Sequence, residues 1–195
     1  TFDDGPYPPY TQKLLQVLQE KNVPATFFMV GENAILHPQT VKEVQAHGHD
    51  IQLHAGYHKD LLKLTASETA ANISYGKNTL EKITGTKIKY MRPPHGFKDW
   101  SVMQNIHDAN LQVVNWSIIP RDWTNPGAEI IASRVCNQAE PGAIVLLHDG
   151  DSPKNKAPRQ QTIDAVKIII DQLRAQGYEF VTVDTLLTME KTQTK

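Results

Sequence analysis

A parallel α/β fold is the architecture this sequence predicts, and three observations carry it. Short apolar runs alternate with amphipathic ones along the chain. Two apolar runs, Ala25-Thr-Phe-Phe-Met-Val30 and Ala143-Ile-Val-Leu-Leu147, are continuous, as strands covered on both faces are. About seven strand–helix repeats occur. Such alternation implies right-handed crossovers and a sheet that curls into a barrel, closed or incomplete.

The first strand is expected at 1–3 and stops at Asp4-Gly5-Pro6, because Gly relaxes the backbone and Pro lacks an amide hydrogen. A helix is expected at 10–21, a strand at 24–30, a helix at 38–48 with Gly48 as its cap, and a strand at 49–53. Helices at 66–83, 99–109 and 127–138 lead to strands at 88–91, 111–116 and 142–147. Residues 153–158 read as an exposed loop. Thr162 to Leu173 carries helical apolar spacing inside a helix at 160–176 that Gly177 ends. A seventh strand at 178–183 and a helix at 184–189 complete the pattern.

Neither a linker nor a repeat interrupts the chain, so one domain over 1–195 is expected, with room for a sizeable core. Thr1 falls inside the first strand, so we expect an excised or processed domain lacking the N-terminal part of that strand. Lys plus Arg number 20 against 21 Asp plus Glu, interspersed, for a net charge of -1. That balance gives no electrostatic case for nucleic acid or an anionic membrane. No stretch is long and apolar enough to span a bilayer. Cys136, the only cysteine, allows no intrachain disulfide and reads as a small buried apolar residue.

The chemistry begins at Asp3-Asp4. Neighbouring side chains in a strand point to opposite faces, so both carboxylates reach one site only if the strand stops there. Such a pair suits metal binding plus general-base work; a solvated acidic turn is the alternative. His54-Ala-Gly-Tyr-His58 puts two histidines four apart, on one face of a helix or helical turn. Two His, one carboxylate and an open water position describe a catalytic zinc site. It is not the zincin signature, because Ala55 stands where that motif needs Glu. In a parallel barrel the site lies at the C-terminal strand ends. Asp3-Asp4, His54, Arg92, Asp122 and His148 each follow an expected strand, and five such ends would share one mouth.

With these residues in view, the chain resembles the polysaccharide deacetylase family, or NodB-homology domain. The motifs that carry the resemblance are Thr1-Phe-Asp-Asp-Gly-Pro6, His54-x-x-x-His58, Arg92-Pro-Pro-His-Gly96, Asp122-Trp123 preceded by Trp116, and Leu146-Leu-His148. The resemblance runs from Thr1 to about Leu187. It implies a deformed (β/α) barrel that removes N-acetyl groups from an aminosugar polymer such as chitin or peptidoglycan, or O-acetyl groups from xylan. It implies one divalent metal held by Asp4, His54 and His58: zinc, with cobalt, nickel or manganese as alternatives. Asp3 becomes the general base and His148 the general acid. Arg92 orients Asp3, and Asp122 orients and charges His148. The backbone amide of His95 helps hold the oxyanion, while Trp123 and Leu146 wall the acetyl pocket. The implied partner is an acetylated carbohydrate, the implied state a monomer, and the implied location extracellular or cell-envelope.

Two departures stand out. The family usually has Ser or Thr where this chain has Ala55, and that hydroxyl braces the loop. It often has Tyr where this chain has His95. Competing readings are a glycosidase using Asp3 and Asp4, a non-haem iron oxygenase, and a catalytically weak carbohydrate-binding relative with a vestigial metal site. His37, His47, His49 and His107 read as surface or packing residues rather than ligands, with His49, close to His54 in sequence, the first candidate among them for a place beside the site. Tyr7, Phe97 and Trp100 fall near the mouth, for sugar stacking or for packing.

Overall fold

A computed structural model describes residues 1–151 and 157–193. Among the described residues six parallel strands form one sheet: β1 (Phe2–Asp3), β2 (Thr26–Met29), β3 (Asp50–Leu53), β4 (Tyr90–Met91), β5 (Gln112–Val113) and β6 (Leu147–His148). Their order is β5-β4-β3-β2-β1-β6. The helices are α1 (Tyr10–Lys21), α2 (Gly31–Leu36), α3 (Pro38–Ala46), α4 (Ala66–Thr84), α5 (Trp100–Asp108), α6 (Ala128–Cys136), α7 (Gln160–Ala175) and α8 (Val183–Gln193). The expected loop at 153–158 lies, over 153–156, outside the described residues.

The sheet curls back on itself. Beyond β5 the chain makes a parallel bridge, Ile118 to Val145, with the segment entering β6. Ser117 N and Ile118 N donate to Ile144 O at 2.9 and 3.1 Å, and Leu146 N donates to Ile118 O at 3.0 Å. This closure corrects the strand expected at 178–183. The flank of β6 that a seventh strand would need is already bonded to 117–118. The segment crosses the opposite end of the barrel instead, where Tyr178 Oη donates to Ala139 O and Val183 N donates to Thr26 Oγ1.

Register decides what faces where. Phe2 pairs with Phe27 and Leu147, and Phe27 pairs with Ile51. These side chains join the large core cluster with the apolar stripes of the helices, including Leu14, Leu18, Val41, Ile73 and Ile170. One step along, Asp3 pairs with Phe28 and His148, and Phe28 with Gln52. Strand side chains alternate between faces, so this row points into the barrel. There Phe28 packs with Tyr90, Val114 and Val183. The pairing of β1 with β6 alone therefore places Asp3 beside His148 on the inner face.

Candidate active site

β1 ends at Asp3, as expected, and Asp4 turns away with φ 75°. A positive φ is uncommon for a residue other than Gly, and here it swings the second carboxylate to the mouth. Asn33 of α2 fixes the turn: its Nδ2 donates to Asp4 O at 2.7 Å. Beyond β3, His54 reaches the same place. Its Nδ1 lies 2.7 Å from Arg92 O, an arrangement that makes Nδ1 the donor and turns Nε2 to the mouth.

Asp4 Oδ1 is 3.4 Å from His54 Nε2 and 3.3 Å from His58 Nε2, and among the described residues it is buried without a hydrogen-bond partner. Three donor atoms, one from each residue, lie within 4.8 Å of one another. An orphaned carboxylate oxygen facing two imidazole nitrogens fits a divalent metal ion. Burial opposes the Asp4 charge, but the nearby His54, His148 and His58 hold its carboxyl well below the usual range. The His-x3-His pair is not on a helical turn, as its spacing suggested. Ala55 takes φ 75°, and the loop 54–58 folds the two rings to 5.1 Å.

Two charge pairs flank this cluster. Arg92, fully buried, donates from Nη1 to Asp3 Oδ1 at 2.7 Å. Its remaining donors reach Thr1 Oγ1, Val114 O and Asn115 O, and its guanidinium lies 4.1 Å from the Phe28 ring centre. On the other side, Asp122, also fully buried, sits 2.8 Å from His148 Nδ1 and accepts from His148 N and Thr162 Oγ1. Burial pushes the His148 ring down, but the Asp122 hydrogen bond and charge override it, and its pKa is raised to about 9. Asp122 follows β5 only at a distance, in a 3-10 turn (Asp122–Thr124) beyond the closing bridge.

The remaining expected residues surround this group. Trp123 meets the His148 ring edge-on at 5.3 Å, and Leu146 is buried beside the closure. His95 lies in a 3-10 turn (Pro94–Gly96) with φ 60°, its exposed ring edge-on to His58 at 4.8 Å. Phe97 follows His95 at 5.3 Å and is half exposed, while Trp100 is 82% exposed, which removes the packing reading for Trp100. Tyr7 stacks on Tyr10. His49 is not beside the site: it is buried against Phe27, with Nδ1 accepting from Ala25 N. Cys136 is only partly buried and is a free thiol.

The geometry agrees with sequence comparison. The profile of the family described as polysaccharide deacetylase matches residues 1–114. The chain belongs to the polysaccharide deacetylase family. It is 40% identical to a peptidoglycan-N-acetylglucosamine deacetylase of Bacillus cereus over 189 residues, covering 96% of this chain and 86% of that one. It is 35% identical to a chitooligosaccharide deacetylase of Bradyrhizobium, covering 92% of this chain and 85% of that one. The structure of a peptidoglycan deacetylase from Bacillus subtilis superposes with a TM-score of 0.87 at 31% identity, covering 98% of this chain and 90% of that one.

Polysaccharide deacetylase motifs do not include every residue on which this site rests. Asn33, Asn72, Thr162 and Asp149 were missed by sequence reasoning. Asp149, fully buried against Gly5, accepts from Thr11 Oγ1, and burial raises its carboxyl to about 7. The signal for Asn72 was a polar residue inside the buried stripe of α4, which runs Thr69, Asn72, Ile73, Gly76 and Leu80.

Proposed function

We propose that this chain is a metal-dependent hydrolase that removes N-acetyl groups from an aminosugar polymer, either chitin oligomers or peptidoglycan. The observation that carries this reading is the Asp4, His54 and His58 cluster set between the Arg92–Asp3 and Asp122–His148 pairs. The names of the curated relatives support the substrate class. Zinc suits the two-imidazole, one-carboxylate donor set. Held there, a divalent ion supplies a Lewis acid for the acetyl carbonyl and lowers the pKa of water.

The chain's own groups do the rest. Arg92 holds Asp3 by Oδ1, which leaves Oδ2 to take a proton from the attacking water. The water oxygen bonds to the acetyl carbon, and the carbonyl electron pair moves onto its oxygen, near the backbone amide of His95. His148 is held at Nδ1, so Nε2 gives its proton to the amine nitrogen as the carbon–nitrogen bond breaks. Acetic acid and the amine leave, the acid passing its remaining proton to the amine or to water to become acetate, and the proton taken by Asp3 restores His148. Trp123 and Leu146 wall the methyl group. A vestigial site would not need both charge pairs intact. Peptidoglycan is a cell-wall polymer, and with it as substrate the proposed location is the cell envelope or beyond.

The test is acetate release from chitooligosaccharides, peptidoglycan and acetylxylan, with and without a chelator. We expect metal-dependent release from one of the aminosugar polymers. Release from acetylxylan alone, or none from any, would reject the reading.

A further inference from the structure

We infer that Asn72 is the positioning residue for His58, replacing the hydroxyl that Ala55 lacks. This rests on the reading of Asp4, His54 and His58 as metal ligands. The two histidines are held differently. His54 is fixed at its own ring, through Nδ1 and Arg92 O, and at its backbone, where its N donates to Met29 O at 2.8 Å. The His58 ring makes no comparable hydrogen bond among the described residues. Besides Asp4 it meets the His54 and His95 rings, and its side chain is 21% exposed. Its position therefore comes from the backbone that delivers it.

That backbone is gripped by one side chain. Asn72 Oδ1 accepts from Gly56 N at 2.7 Å and from Tyr57 N at 2.8 Å, and Asn72 Nδ2 donates to Tyr57 O at 3.2 Å. No other acceptor serves those two N–H groups among the described residues. The loop's opposite edge lies on α2, where Gly31 N donates to Ala55 O and Glu32 N to Gly56 O, at 3.0 and 2.9 Å. Close approach makes the grip possible. A Cβ on Gly56 would sit 2.5 Å from Asn72 O, and one on Gly76 would sit 2.7 Å from Gly56 N. Asn72 is 5% exposed, so a substitution that removes Oδ1 leaves the buried Gly56 N–H and the partly buried Tyr57 N–H without their acceptor, a cost that a turn of loop at Tyr57 and His58 would relieve.

Outer partners that hold metal ligands typically account for about 10–100-fold in metal affinity. The experiment titrates apo-protein with zinc against a competing chelator, and follows thermal unfolding of each apo-protein. Asn72→Ala should weaken zinc by roughly that 10–100-fold. Asn72→Asp, which keeps an oxygen for both N–H groups, should stay close to wild type, a rescue that a purely structural role does not predict. If Asn72→Ala does not fold, Asn72→Asp against Asn72→Ser makes the same comparison. Unchanged zinc affinity in the Ala or Ser variant, or equal loss in the Asp variant, would overturn the inference while leaving the metal site standing. Wild-type protein that takes up no zinc would sink the metal reading and this inference together.

Discussion

The two sides of the site use one device in opposite senses. On the β4 side a buried cation, Arg92, holds a carboxylate, Asp3; on the β6 side a buried carboxylate, Asp122, holds an imidazole, His148. The guanidinium keeps its charge, so on the first side the proposed proton acceptor is Asp3. On the second side the fixed partner is negative, and the ring keeps a proton to about pH 9. Strand register then sets the two side chains next to each other, Asp3 opposite His148. The proposed base and the proposed acid thus stand on adjacent strands in the same kind of ion pair, with the members that hold and the members that are held exchanged in charge.

The strongest break of this comparison removes each titrating member. Asp3→Asn and His148→Ala should each lower kcat by roughly 10²–10⁴-fold, with zinc content unchanged. Full activity in either variant would remove its role. The fixed members should then differ from one another. Arg92→Met strips four hydrogen bonds and leaves the buried Asp3 without its guanidinium partner, and denaturant unfolding should show a loss of roughly 3–5 kcal/mol.

Asp122→Asn should act mainly on the His148 proton. Imidazole NMR of the apo-protein should read His148 near 9 in the wild type and clearly lower in the variant. A raised folded pKa gives stability that is present below the ordinary value of 6.5 and lost as pH rises through about 9. The destabilisation by Asp122→Asn should accordingly be largest at acid pH and shrink towards alkaline pH. A pH-independent loss would mean that Asp122 holds the backbone rather than the ring's charge. The smallest effect concerns Ala55→Ser. With the loop already gripped by Asn72, zinc affinity should change by less than about twofold, below what one new hydrogen bond commonly adds.

The sequence was most legible where pattern and chemistry coincide. The helix at 10–21 formed over its expected span because Thr11, Leu14, Leu15 and Leu18 make one buried face. The short α2 was not foreseen, since Gly31 to Leu36 is under two turns and follows directly on an apolar strand. Residue type alone does not make a strand: Tyr178 to Val183 has strand-like residues, but the segment entering β6 is already paired with Ile118. The ionisable residues gathered at the mouth were legible because the proposed proton transfer and metal binding need those side-chain types. Asn33 and Asn72 were not, because they act on backbone groups of residues far away in sequence. Nor could spacing reveal that His54 and His58 meet through a left-handed turn at Ala55 rather than a helix.

The central claim is that one metal ion on Asp4, His54 and His58 makes this chain a deacetylase. Its most direct test is acetate release from a chitooligosaccharide by apo-protein as zinc is added. The account predicts no activity without metal, a rise that saturates at one zinc per chain, and no recovery in His58→Ala. Full activity of the chelated protein, or undiminished zinc-dependent activity in His58→Ala, would contradict it.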